Sequence, residues 1–436
     1  MRISTNMIYD MGVASMQQSR NSQVKLQEQL GSGKRILTPS DDPVAASTAL
    51  DVKQSQALNA QLKTNGDSAK SQLGLEDSAL SDASSLLLDV KTLAVYAGNP
   101  TLTNSDRASI ATELSSRYHE LLGLANRSNG NGQFLFSGFQ GATQPFSETA
   151  PGNVVYAGDT GQRLTQIGTT RTIPVSDSGD AIFRALKNGN GTFATAGGAG
   201  NTGGGTIDSG VVTDPSKWNI AGNAKDFTIK FDVNNVVTPP VTTYDIVDNV
   251  NNKSLLTGAA PAAGPYLRSY TAGGTISLAT QSPPDTNPAP FDYGATVTVT
   301  AAPASGDTFT VKASTNQDVF SMLQGLISAL TAGTSGTPAT TAVYQNALNS
   351  AMSGLDNAFN NVLKVRADVG ARLKEVDTAQ STSDDLSLQY SKTLTGLEDL
   401  DYAKAISDLN LQQVYLQAAQ QSFLKVTSLN LFDILR

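Results

Sequence analysis

Proline decides where this chain can be helical. Of 17 prolines, 13 fall between residues 140 and 310, together with 22 of the 38 glycines. A proline in a helix interior costs about 3 kcal/mol and removes a backbone donor, so the centre cannot be mainly helical while both flanks can. The centre alternates instead. Phe227, Ile229 and Phe231 are separated by polar residues, Thr296 to Thr300 reads T-V-T-V-T, and Phe309 and Val311 repeat the spacing. Such runs bounded by turn residues predict β-strands. The expected fold class is α+β, with a long-helix rod built by both chain ends and a β domain inserted between them.

The ends are unusual helices. Residues 1–30 hold five charged side chains, and between Ala403 and Phe432 only Lys404, Asp408 and Lys425 are charged. A helix facing water normally carries more charge pairs, so uncharged polar flanks around a thin apolar stripe predict contact with protein. Tyr402, Leu409, Leu416 and Phe423 recur every seven residues, with Ile406, Ala419 and Val426 beside them, which is coiled-coil spacing. Ile3, Met7, Met11, Met16, Leu26 and Leu30 form the matching N-terminal stripe. These residues are the expected assembly interface.

Local signals punctuate the flanks. A first helix from about Ser4 to Leu30 should stop at Gly31 and Gly33. A second should begin near Ser40, where Asp41 and Asp42 suit the positive helix end and Pro43 its first turn. Its stripe runs through Leu58, Leu62, Ala69, Leu73, Leu80, Leu87, Val90, Ala94 and Ala97, and Asn99 and Pro100 end it. A third, from about Asn104, places Ile110, Leu114, Tyr118, Leu121 and Ala125 on one face. After the centre, a long helix from about Ala342 to Thr395 carries Leu348, Leu355, Phe359 and Leu363, and the terminal helix follows. The expected segments are an N-terminal coiled-coil helix over 1–40, half of the rod over 41–140, the β domain over 141–310, the second half of the rod over 311–396 and a terminal helix over 397–436.

Charge and composition exclude several roles. A net charge of -8 gives nucleic acid no electrostatic footprint. With no cysteine there are no disulfides, thiolate metal sites or cysteine nucleophiles, and the redox compartment is left open. No apolar run approaches the roughly 18 residues that span a bilayer. Ser4, Thr5, Asn6 and Asp10 interrupt any signal-peptide core, so standard Sec export and membrane insertion are not expected.

Three motifs imitate chemical sites. Gly31 to Lys34 reads G-S-G-K, but a phosphate loop needs Gly at Glu28, Ser or Thr at Arg35, and a preceding strand. Gly198, Gly200 and Gly203 fit G-x-G-x-x-G inside a glycine-rich run that reads as flexible loop. His119-Glu120 lacks the second histidine of a zinc helix, since Gly123 stands there, and His119 is the sole histidine. Asp384 with Asp385 and Asp399 with Asp401 read as solvated acidic turns. No enzyme activity, cofactor or metal is expected.

Four separated motifs carry a resemblance. They are the opening M-R-I-S-T-N, G-K-R-I-L-T-P-S-D-D-P-V-A-A from Gly33 to Ala46, F-L-F-S-G from Phe134 to Gly138, and the closing D-Y-A-K-A-I-S-D-L through L-N-L-F-D-I-L-R. In this order they resemble the bacterial flagellin family over about the first 140 and last 120 residues. Asp41, Asp42, Pro43, Phe134, Phe136 and Gly138 mark its turns, and within the family Pro43 and the F-L-F-S-G turn are most similar to the members that join hook to filament. The resemblance implies terminal helices lining an inner tube, rod helices outside them and a β domain facing solvent. It also implies unfolded passage through the flagellar type III export channel, with an export chaperone. The implied partners are further copies in a ring or helical layer, another hook-associated protein on the hook side and flagellin on the filament side. Filament flagellin is the alternative, and a secreted coiled-coil adhesin or fibre the more remote one. The latter would want an unbroken heptad stalk, which Pro39, Gly98 to Pro100 and Gly336 to Pro338 interrupt.

Overall fold

In this computed structural model the described residues of the flanks form the α-helices α1 (Thr5–Ser32), α2 (Pro43–Ala97), α3 (Asn104–Ala125), α5 (Val319–Ala332), α6 (Pro338–Glu398) and α7 (Tyr402–Leu429), and the short α4 (Pro215–Trp218) lies in the centre. The structure describes residues 5–429, and the side chains of Met7 and of residues 9–425. Their starts have local causes. Asp42 accepts the Ala45 N–H at 3.0 Å, so it caps α2 with Pro43 as first residue. Thr103 and Asp106 form a reciprocal capping box on α3. Helix α2 therefore starts three residues later than the sequence suggests, and α6 extends beyond the expected Ala342–Thr395 at both ends.

Contacts divide the chain into two units. The first takes residues up to Asp67, Gln166–Arg171 and residues from Val376 onward; the second takes Ser68–Thr165 and Thr172–Glu375. Helices α2 and α6 contribute to both.

In the second unit, Leu73, Leu80, Leu87, Val90 and Ala94 of α2 are buried, as are Ile110, Leu114, Tyr118, Leu121 and Ala125 of α3. Helix α5 has no counterpart in the sequence reading. Its start is capped by Asp318, which accepts the Ser321 N–H at 2.6 Å, and it buries Phe320, Leu323, Leu326 and Leu330. On α6 the buried stripe is Leu348, Ala351, Leu355, Ala358, Val362 and Val369. Phe359 is half-buried and Leu363 is 39% exposed, because each lies one position round the helix from that stripe.

Aromatic rings join the helices to the chain after α3. Phe146 lies 5.5 Å from Phe320 and 5.8 Å from Phe183, Phe183 lies 5.6 Å from Phe136, and Tyr118 lies 6.0 Å from Phe320. Phe136, Phe146 and Phe183 thus share the helical core.

A second cluster is built mainly by strands. Asp226–Asn234 pairs antiparallel with Val241–Asp248 on one side and with Thr308–Ala313 on the other, and Phe193–Gly197 pairs with Thr308–Ala313. A further sheet pairs Thr275–Ala279 with Asp292–Thr300. Phe227, Ile229, Phe231, Val297, Val299, Phe309 and Val311 are all buried in one cluster with Trp218. The alternation seen in the sequence is the alternation of buried and outward side chains. The chain enters and leaves this region through the paired strands Leu186–Lys187 and Asn316–Gln317.

Asparagines on α6 hold the entry. Asn346 Oδ1 accepts the Ile207 N–H at 2.8 Å, and Asn349 Nδ2 donates to the Ile207 carbonyl at 3.2 Å. Asn357 Nδ2 donates to the carbonyls of Lys187 (2.7 Å) and Gly189 (2.8 Å), and Asn361 Nδ2 to those of Ala181 (2.9 Å) and Ile182 (3.0 Å). The glycine-rich run is also fixed rather than flexible. Asp307 accepts the N–H groups of Thr202 (2.8 Å), Gly203 (3.0 Å) and Ala304 (2.8 Å).

Two outcomes test this packing. Phe320→Ala removes the ring that Phe146 and Tyr118 share, and should destabilise the second unit by about 3–5 kcal/mol in chemical denaturation. Replacing residues 190–313 by a short Gly/Ser linker cuts at the paired neck and should leave the helical circular dichroism of the remainder intact. Loss of helix in that variant would show that the β cluster is part of the helical core.

Candidate functional site: the paired ends and their turn

Helices α1 and α7 pack against each other in the first unit. The Tyr9 and Phe423 rings lie 4.9 Å apart. Gly12 permits the approach, since a Cβ there would stand 2.8 Å from the Phe423 ring. At the other end, Gly33 has φ +71°, and a Cβ there would stand 2.8 Å from the Tyr402 hydroxyl.

This pair has almost no interior. No described side chain of α1 is buried, and Ala405 is the one buried residue among the described side chains of α7. Of the residues expected at the interface, Met7, Met11, Tyr402 and Ile406 are at least half exposed. Met16, Leu26, Leu30, Leu409, Leu416 and Phe423 are half-buried. Ile3 and the Val426 side chain lie outside the described residues. Sequence reasoning passed over Val24, Leu411, Val414, Tyr415 and Leu424, which are also exposed, because they fall off the seven-residue stripe.

The turn between α1 and α2 fastens the start of the chain to the α6–α7 connection. The Arg35 N–H donates to the Glu398 carbonyl at 2.7 Å, and the Leu400 N–H to the Gly33 carbonyl at 3.0 Å. Side chains reinforce it. Glu398 pairs with Lys34 at 3.1 Å and with Lys53. Arg35 reaches the Leu397 carbonyl at 2.8 Å and Asp42 at 3.1 Å. Asp41 receives Lys25 at 2.7 Å and the N–H groups of Leu37 and Thr38 at 3.1 Å each. The G-K-R-I-L-T-P-S-D-D-P sequence is thus a clamp: Lys34 and Arg35 bind the far end of the chain, and Asp41 and Asp42 bind the turn and cap α2.

Electrostatics follow this geometry. The Lys25 ammonium and the Thr38 N–H hold Asp41 down at about 2. The Ala45 N–H and Arg35 lower Asp42, and Lys53 followed by Lys34 lowers Glu398.

The remaining motif residues belong to the second unit. Phe136 is buried, Phe134 half-buried, and Gly138 sits at φ +69° where a Cβ would meet the Asp159 carboxylate at 2.2 Å. Asp159 accepts the N–H groups of Phe139 (3.0 Å) and Gly161 (2.7 Å), so the F-L-F-S-G turn is shaped by a carboxylate twenty residues away. His119 is exposed on α3, edge-on to Tyr118 at 5.3 Å.

Known proteins place this architecture. The family model for the bacterial flagellin N-terminal helical region matches residues 3–141, and that for the bacterial flagellin C-terminal helical region matches residues 352–435. The chain belongs to the bacterial flagellin family. It is 26% identical over 434 residues to flagellar hook-associated protein 3 of Escherichia coli strain K12, covering 100% of this chain and 99% of that protein. The crystal structure of the flagellar junction protein FlgL from Legionella pneumophila superposes with a TM-score of 0.66 at 27% identity, covering 81% of this chain and 100% of that one. A flagellin of Clostridium tyrobutyricum is 31% identical over 140 residues, covering 32% of this chain and 37% of that protein.

The clamp makes a pH prediction. Carboxylates whose folded pKa lies below the ordinary value of about 4 stabilise the fold above that value and lose the contribution as pH falls through the folded one. Between about pH 4 and about 2, the Arg35 and Leu400 amides of the monomer should lose hydrogen-exchange protection, and Glu398→Gln should reduce that protection already at neutral pH. Unchanged protection across the window would remove the carboxylates from the clamp.

Proposed function

We propose that this chain is a structural subunit of the flagellum that forms the junction layer between hook and filament, and that its paired terminal helices are the assembly surface. The observation that carries this reading is the α1–α7 pair itself, which buries Ala405 alone among its described α7 side chains and leaves Met7, Met11, Ile406 and Tyr415 exposed. Two such helices gain little stability by themselves, because helices in proteins draw most of theirs from packing an apolar face. Neighbouring subunits would complete that packing. Full-length similarity to a hook-associated protein, against a flagellin match confined to 32% of the chain, favours the junction role over that of filament flagellin.

Several finer statements rest on this reading. The layer has a hook-associated protein on one side and flagellin on the other, with copies of the same chain beside it. The subunit works outside the cell after type III export aided by a chaperone, and its role is mechanical rather than enzymatic. The two apolar stripes, from Ile3 through Leu30 and from Tyr402 through Val426, are the contact surface.

The reading predicts a phenotype. Leu416→Asp or Phe423→Asp places a charge without a partner in the assembled layer and should abolish attached filaments, while circular dichroism of the second unit's helices stays unchanged. Complementation of a deletion strain, scored by microscopy and by flagellin shed into the medium, checks it. Normal filaments from both variants would contradict the placement of the stripe.

A further inference from the structure

Helix α2 carries one carboxyl group into the interior of the second unit. Glu76 is 2% exposed. Its Oε1 accepts the Asp177 N–H at 3.0 Å, and its Oε2 is buried with no hydrogen-bond partner. Charged groups face it from the 162–178 region (Arg163 and Asp177) and from α6 (Arg372). Arg372 gives both terminal nitrogens to Asp177, at 2.9 and 3.1 Å, and Gln162 donates to the same carboxylate at 2.6 Å. Arg163 turns to Ser176 Oγ at 3.4 Å and to Gln133 Oε1 at 3.2 Å. The neighbouring Asp77 pairs with Arg366 at 3.1 Å.

The guanidinium groups that act on Glu76 are thus hydrogen-bonded to other acceptors, and the repulsion from the Asp177 carboxylate outweighs the attraction of either. A buried carboxyl group in that setting keeps its proton. We propose that Glu76 is a proton-operated latch: as a neutral acid it holds the 175–178 segment onto α2 and α6, and as a carboxylate it releases that segment. The hydrogen bond from the Asp177 N–H by itself favours the carboxylate; burial and the Asp177 carboxylate oppose ionisation, and Asp177 in turn anchors Arg372 of α6, so the strain of a second buried charge falls on this segment. Ionisation would add a second negative charge in the interior beside Asp177, whose own carboxylate already takes both terminal nitrogens of Arg372.

Burial, followed by repulsion from Asp177, pushes Glu76 up to about 8, while Arg372 and Arg163 offset part of the rise. The sign is opposite to that of the clamp. A carboxyl group with a raised folded pKa stabilises the fold fully below its unfolded value and loses the contribution as pH rises towards the folded one. The window runs from the ordinary value of 4.5 to about 8, so the medium around the chain sets how firmly the segment is held.

The test uses the full-length monomer. In denaturant unfolding followed by circular dichroism, the wild-type unfolding constant should rise relative to that of Glu76→Gln by about tenfold per pH unit between roughly pH 5 and 8. The Asp177 amide should lose hydrogen-exchange protection over the same range in the wild type only. If Glu76→Gln does not fold, carbon-13 titration of the Glu76 carboxyl in the wild type decides, with a midpoint near 8 expected. Parallel pH profiles of the two proteins, or a carboxyl midpoint near 4.5, would overturn the latch.

Discussion

The antiparallel bridge between Lys34 and Asp399 sets the geometry of the chain ends. It brings residues more than three hundred apart into register, so that α1 ends and α7 begins at the same place. From that point the two helices have one direction available in which each covers the other. Exposed ion pairs such as Lys34 with Glu398 add little energy singly, but here they surround two backbone hydrogen bonds and a capped helix start. The clamp supplies direction, and the pairing of Tyr9 with Phe423 is a consequence of it.

The two units are stabilised in different ways. The second has a continuous interior of Leu, Val and Phe contributed by four helices and the aromatic cluster. The first has the clamp, a small interior that includes Ala49, Asn59, Leu62, Ile167 and Val376, and a helix pair with almost nothing inside. An element of that kind is held by whatever binds it, so its stability depends on subunit concentration and on the presence of neighbours. This difference within one chain suits a part that must hold a fold of its own and also complete itself against others.

Much of the helical part was legible because its signals are local. Asp42 and Pro43 mark the start of α2, the Thr103 box marks α3, and the stripe from Ala69 to Ala97 is buried as its spacing indicates. Leu58 departs from that stripe and is 48% exposed, so spacing alone overstated its burial. Other features depend on partners far away in sequence. Glu398 meets Lys53 and Lys34 across 345 and 364 residues, and Asp307 fixes the glycine-rich run across about a hundred. Helix α5 did have a local signal in Asp318 and its apolar run, but a segment of fourteen residues beside a strand-rich region is easily merged with it. The terminal stripe was readable as apolar spacing, whereas the way Glu398 and Lys34 orient it was not.

The asparagines of α6 hold the strand-rich region by its main chain. Asn346, Asn349 and Asn357 bind the amide or carbonyl groups of Ile207, Lys187 and Gly189, Asn361 holds the carbonyls of Ala181 and Ile182 just before the neck, and none of these contacts reads a side chain. A socket that recognises only backbone is indifferent to what the plugged-in domain displays. Side chains on the outer strands can therefore be exchanged wholesale, altering the surface the particle presents to its surroundings, while the fitting stays the same.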